Sequence, residues 1–178
     1  MKTKGAHNPY NPSSRFDNSY RLAEVSLQNY LSDLPAGYTS ASGKQVVTFN
    51  DFFSNKFLII QTIRKGITYR FFDQIKSVLP FTDMEWADYL NLSLKTLQRH
   101  KNDNDFYFKP IHTEKIIELA EVTHYGREVF SSREKFHQWL TTPSYALGNM
   151  TPADLLHDSY GKDLVLAELN RIAHGIFD

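Results

Sequence analysis

The feature that most constrains this chain is its succession of helix start and stop signals. In Thr82-x-x-Glu85 and Ser131-x-x-Glu134 a hydroxyl and a carboxylate three residues apart can satisfy each other's terminal amides, which is the capping-box arrangement. Thr68 and Ser93 are single caps, and Thr151-Pro152 places a capping hydroxyl before a proline at the first helical position, where its missing amide costs nothing. Gly66 and Gly175 stand where helices end, and Pro80 breaks one. Between these marks the apolar residues recur at helical spacing. Leu22, Val25 and Leu27 to Leu31 predict a first helix, and Phe53, Phe57, Ile60 and Ile63 predict a second running to Gly66. A third, from Thr68 to Leu79, buries Phe71, Phe72, Ile75, Val78 and Leu79. A long helix from Thr113 carries Ile116, Ile117, Leu119, Ala120 and Val122. Another turns Phe136, Trp139 and Leu140 to the core, and the last, Tyr160 to Ala173, presents Leu164, Val165, Leu169 and Ile172. The expected fold is all-α. Residues 1 to 19, with Asn8-Pro9 and Asn11-Pro12, read as an arm, Pro35 to Lys44 as a loop, and Gln45 to Phe49 as a short strand or extended chain.

Composition excludes several chemistries. The 178 residues contain no Cys, which removes disulfides, thiolate catalysis, Fe-S clusters and Cys-containing zinc sites. His100, His112 and His124 recur, but no pair has the one-turn spacing that converges two imidazoles on a metal. Asp103-x-Asp105 opens like a calcium loop, yet Tyr107 occupies the next ligand position and the required Gly is missing. The acidic side chains sit mostly in first helical turns or on polar faces, where capping and solvation account for them. No catalytic residue, metal site or cofactor is therefore expected. Met1 to Phe16 has no apolar signal core and Phe57 to Ile60 is too short to span a bilayer, so a cytoplasmic protein away from membranes is the expectation.

The formal charge is zero, with 20 basic and 20 acidic residues, but it is unevenly spread. Residues 1–55 hold 5 basic and 4 acidic side chains, residues 56–110 hold 9 and 6, and residues 111–178 hold 6 and 10. The basic middle contains two short helices, Thr82 to Leu90 and Ser93 to about Lys101, separated by Asn91-Leu92 with Ala87 at their close contact. That spacing is the size of a DNA-reading helix-turn-helix. In the second helix Leu94 and Leu97 turn to the core, leaving Lys95, Thr96, Gln98, Arg99 and Lys101 as a polar face with no acidic residue, suited to phosphates and base edges. An ordinary solvated helix face is the alternative.

Gly66-Ile67, Phe81 to Arg99, Glu128-Val129-Phe130, Trp139-Leu140, Ala146-Leu147-Gly148, Thr151-Pro152, Leu155-Leu156 and Arg171 to Phe177 together resemble the Xre/MbcA/ParS-type antitoxins of RES-Xre type II toxin-antitoxin systems. The resemblance spans about residues 57 to 178. It departs at His100, where relatives often have another basic residue, and at Ala173, where they often have Glu. It implies an Xre-like helix-turn-helix middle followed by a small helical toxin-binding domain. The division is residues 1–55 as arm and first helix, 56–110 as the DNA-binding-like domain, and 111–178 as the toxin-binding domain. It further implies a non-enzymatic protein that covers the NAD pocket of a RES-domain toxin and represses its own operon by binding operator DNA; because a helix-turn-helix protein usually needs two readers for specific affinity, a homodimer is expected. By motif position, the toxin-binding residues are Arg171, His174, Gly175, Ile176 and Phe177, and the Asp178 carboxylate joins them as a terminal anion suited to basic groups in a nucleotide pocket. On the residues alone, Ile176 and Phe177 are either an apolar plug ending in the Asp178 carboxylate or a hydrophobic contact closing the helix end. A helix-turn-helix regulator with no toxin partner is the alternative function.

Overall fold

The computed structural model describes residues 15–33, 47–101, 103, 105–130 and 132–175, with side chains from Ser19 onward. Among them ten α-helices follow one another: α1 (Arg15–Ser32), α2 (Phe49–Ser54), α3 (Lys56–Lys65), α4 (Tyr69–Val78), α5 (Asp83–Tyr89), α6 (Leu94–Arg99), α7 (Pro110–Val129), α8 (Arg133–Leu140), α9 (Pro152–Leu155) and α10 (Ser159–Ala173). A 3-10 turn at Tyr145–Leu147 precedes α9. The only strand-like pairing among the described residues is two isolated antiparallel bridges, Thr68 to Tyr107 and Ser144 to Met150. The all-α expectation holds.

Helix α7 is the axis of the molecule. Ile67 N–H donates to Thr113 Oγ1 at one end of α3, and Lys56 pairs with Glu121 at the other, so α3 runs antiparallel to α7. Ser159 donates to Glu118 and Lys162 pairs with Glu121, so α10 runs parallel to it on another side. Packed from several directions, α7 buries Ile116, Ile117, Leu119 and Val122 but also Glu118 and Glu121. Those carboxylates are tolerated because each is neutralised: Glu118 by Lys115 at 2.6 Å and Glu121 by Lys56 at 3.3 Å and Lys162 at 3.2 Å. Burial works against the charge of Lys162, but Glu121 and Asp163 outweigh it and hold its pKa above the usual ammonium value. These ion pairs fix where α10 lies along α7.

An aromatic core joins the middle of the chain. Trp86 is fully buried, edge-on to Phe72 at 5.0 Å and to Phe81 at 5.8 Å, while Phe108 meets Phe72 at 4.9 Å. Thr82 and Glu85 form the expected capping box, and Thr68, Ser93 and Thr151 cap α4, α6 and α9 as read from the sequence. Gly66 ends α3 at φ +84°; any Cβ there would lie 2.3 Å from the Phe108 carbonyl, so both backbone angle and space require glycine.

Several boundaries differ from the sequence expectation. Arg15–Ser19, read as arm, lies in α1, whose buried face is Tyr20, Ala23, Leu27, Tyr30 and Leu31; Leu22 and Val25 point outward. Residues 1–14, 34–44, and Gln45 and Val46 of the expected strand or extended stretch lie outside the described residues, and Phe49 begins α2. The single helix expected over Asn50 to Gly66 is two, because Asn55 closes α2 with its backbone and caps α3 with its side chain. The phase of α3 shifts accordingly: Leu58 and Thr62 are buried, whereas Phe57 is 80% exposed. α7 starts at Pro110 rather than Thr113. Thr113 is instead a buried bridge, accepting from Ile67 N–H and donating to the Phe108 carbonyl. Ser132 caps α8, with Ser131 of the expected capping box outside the described residues. Trp139 and Leu147 pack with the core, as their apolar character predicts.

Candidate functional site

Two surfaces carry the residues singled out by sequence, and the fold places them on different helices. The first is the outer face of α6. α5 and α6 are linked through Asn91, at φ +50°, a left-handed conformation that asparagine tolerates, and Leu92 N–H donates to the Ala87 carbonyl at 2.9 Å. Leu97 is buried and Leu94 packs against the core. Lys95, Gln98, Arg99 and Lys101 are exposed, so four of the five predicted residues share an accessible surface. Thr96 is the exception, because its hydroxyl lies 2.7 Å from Ser93 Oγ and serves the helix cap.

The face is free of acidic residues only within α6. Asp83 of α5 stands beside it, hydrogen-bonded by Lys76 at 2.5 Å; that bond, with help from Gln98 and Lys101, holds the Asp83 carboxyl below the usual range. Lys76 thus offsets Asp83, and Asp103, 3.7 Å from His100 at the end of α6, is a second carboxylate close to this helix. His100 stacks on Phe106 with ring centroids 3.7 Å apart, so it is used in packing where a basic contact was the family expectation.

The second surface is the C-terminal end of α10. Asp158 caps this helix, accepting from Gly161 N–H at 2.7 Å, and Gly161 lies against the Leu155 backbone, which sets the corner between α9 and α10. Burial of Val165 and Leu169 then leaves the last turn projecting. Arg171 is half-buried and pairs with Glu168 at 3.1 Å. His174 is exposed, with Nδ1 2.8 Å from the Asn170 carbonyl, and Gly175 takes φ +67°. Ile176, Phe177 and Asp178 lie outside the described residues.

Beside this turn, α7 and α10 diverge to leave a groove of about 390 Å³. Its walls include Tyr125, Glu128 and Val129 from α7 and Leu166, Asn170 and Ala173 from α10. Sequence reading did not find this groove. Its walls come from helices about forty residues apart in sequence, so no local pattern signals it, although Tyr125 and Glu128 both face solvent at its mouth. Among the described residues no group of three or more His, Asp or Glu is placed to hold a metal, and no helix is long and apolar enough to cross a membrane.

Residues 126–175 match the family model of the antitoxin Xre/MbcA/ParS C-terminal toxin-binding domain. The resemblance read from the sequence is borne out over that segment. Among solved structures, a chain in the crystal structure of the M. tuberculosis MbcT-MbcA toxin-antitoxin complex is similar at 26% sequence identity, covering 67% of this chain and 94% of that one, with a TM-score of 0.45. No curated protein matches the chain.

Proposed function

We propose, from the match of residues 126–175 to the Xre/MbcA/ParS C-terminal toxin-binding domain, that the chain is the antitoxin of a type II toxin-antitoxin pair, binding a RES-domain toxin and masking its NAD pocket. The matched segment carries this reading, because it contains Arg171, His174 and Gly175 and brings them to one accessible helix end. In the proposed complex Ile176 and Phe177 enter the toxin's pocket as an apolar plug. The Asp178 carboxylate meets its basic groups, and Arg171 and His174 line the rim. Masking is stoichiometric, so it needs no catalytic residue or cofactor in the antitoxin.

The proposed domain division assigns residues 56–110 to operator DNA and 111–178 to the toxin, with residues 1–55 as an additional arm and first helix. Lys95, Gln98, Arg99 and Lys101 supply phosphate and base contacts, while Thr96 contributes through the cap of its own helix. Two such readers are needed for specific affinity at half-sites about 34 Å apart, hence a homodimer. Light scattering at micromolar concentration should return twice the chain mass, and a monomer both free and with toxin removes that element. The site of action is the cytoplasm, where operator and NAD are found.

The exposed α6 face also supports a second reading, a DNA-binding regulator acting without a toxin. Titrating the purified chain against the RES-domain protein of an adjoining reading frame separates the two. NAD consumption should fall to background near equimolar antitoxin, whereas undiminished consumption at tenfold excess favours the regulator.

A further inference from the structure

We infer that the groove between α7 and α10 is the seat for one basic, apolar-tipped element of the toxin: a large aliphatic or aromatic side chain enters the groove, and an Arg or Lys beside it pairs with Glu128. The inference rests on the antitoxin reading and adds a contact that the C-terminal plug does not supply. Three observations point the same way. Most of the lining, from Glu128 and Val129 to Leu166, Asn170 and Ala173, falls within the segment matching the toxin-binding domain. Leu166, Leu169 and Val129 give the groove an apolar lining, and Tyr125, 40% exposed, keeps an aromatic edge at its mouth. The volume of about 390 Å³ admits an aromatic side chain.

The charges decide the chemistry of the occupant. At the end of the groove nearer α3, Glu121 is neutralised by Lys56 and Lys162 and has no capacity for a further strong pair. At the other, Glu128 is exposed and has no ion-pair partner among the described residues. The groove therefore offers one uncompensated carboxylate next to an apolar wall. A cation carried on an apolar stem, or flanked by an apolar residue, complements both at once. The excess of acidic over basic residues in 111–178, 10 against 6, favours approach of a basic partner surface over the same region.

The test uses the full chain and a RES-domain protein from an adjoining reading frame, with binding measured by calorimetry. Ala173→Trp fills the groove from an exposed position and should weaken binding by about 30-fold. Glu128→Gln keeps the shape, should weaken binding by about 3-fold to 10-fold, and should flatten the dependence of affinity on salt. Both positions are exposed, so melting temperature should be unchanged in each. Wild-type affinity in both variants overturns the inference while leaving the antitoxin reading intact. A wild-type chain that does not bind the RES-domain protein removes both. If Ala173→Trp instead halves the mass of the free protein, the groove joins two copies of this chain and the inference is overturned.

Discussion

Replacing Gly161 with Ala should destabilise the protein although alanine is the better helix former. Gly161 is buried in the first turn of α10, and a Cβ there would lie 1.9 Å from the Leu155 carbonyl oxygen, 2.7 Å from its carbon and 3.0 Å from its Cα. All three atoms are backbone, so no side chain can swing aside. To bring the closest pair even to 3.0 Å, α9 and α10 must separate by about 1.1 Å. Overpacking of a close contact costs about 1–3 kcal/mol, and a rigid backbone clash belongs at the upper end. The helix-propensity gain of Ala over Gly offsets about 1 kcal/mol of this. The net loss is about 2 kcal/mol, which for a chain of this length lowers the melting temperature by roughly 4–8 °C. Urea unfolding followed by circular dichroism measures it. Because α10 carries Arg171 and His174, toxin affinity should fall as well. Gly148→Ala is the control: at φ +67° with nothing within 4 Å of the new Cβ, it should lose only the backbone cost of about 1 kcal/mol. A Gly161→Ala protein as stable as wild type, or more so, refutes the close-approach argument.

Acid sensitivity should trace to His124, buried against Tyr20 and Phe53 and hydrogen-bonded to the Tyr20 hydroxyl. Burial holds its pKa below the ordinary 6.5, so the unfolded chain binds the proton more readily; its contribution is complete above about 6.5 and is lost as pH falls through the folded value. The urea midpoint should decline between pH 7 and 5 in wild type and decline less in His124→Gln; parallel curves contradict the assignment. On the DNA side, the triple variant Lys95→Ala, Gln98→Ala, Arg99→Ala should lose operator binding. Arg99→Ala alone should cost about 1–3 kcal/mol if it makes a bidentate base contact. Unchanged mobility-shift titrations of the folded triple variant reject the α6 surface.

The legible parts of this fold are those decided within four residues. Thr82 with Glu85, Ser93, Thr151 with Pro152 and Gly66 each act through a cap or a backbone angle, and each does what its sequence context predicts. What depended on helix phase was misread where one residue interrupts the ladder. Asn55 belongs to two helices at once, so a continuous period from Phe53 turns Phe57 and Ile60 inward, whereas α3 buries Leu58 and Thr62. Thr113 resembles a cap by residue type, but its hydroxyl is spent on Ile67 and Phe108, a contact between distant segments. The same distinction runs through the site. The α6 face is a property of one short helix and was readable. The groove arises where two helices about forty residues apart diverge, and the neutralisation of Asp83 by Lys76 crosses from α5 to α4; neither leaves a local pattern.

The central claim, that the C-terminal residues neutralise a toxin, is tested most directly by deleting Ile176 to Asp178 and measuring inhibition of RES-domain NAD consumption and thermal stability on the same protein. The described core ends with α10, whose buried positions stop at Leu169. The account predicts that the truncated chain keeps its melting temperature and loses inhibition. If the three residues instead close the core, stability should drop by a few kcal/mol and inhibition would fall only with it. Full inhibition by a stably folded truncation would contradict the plug outright.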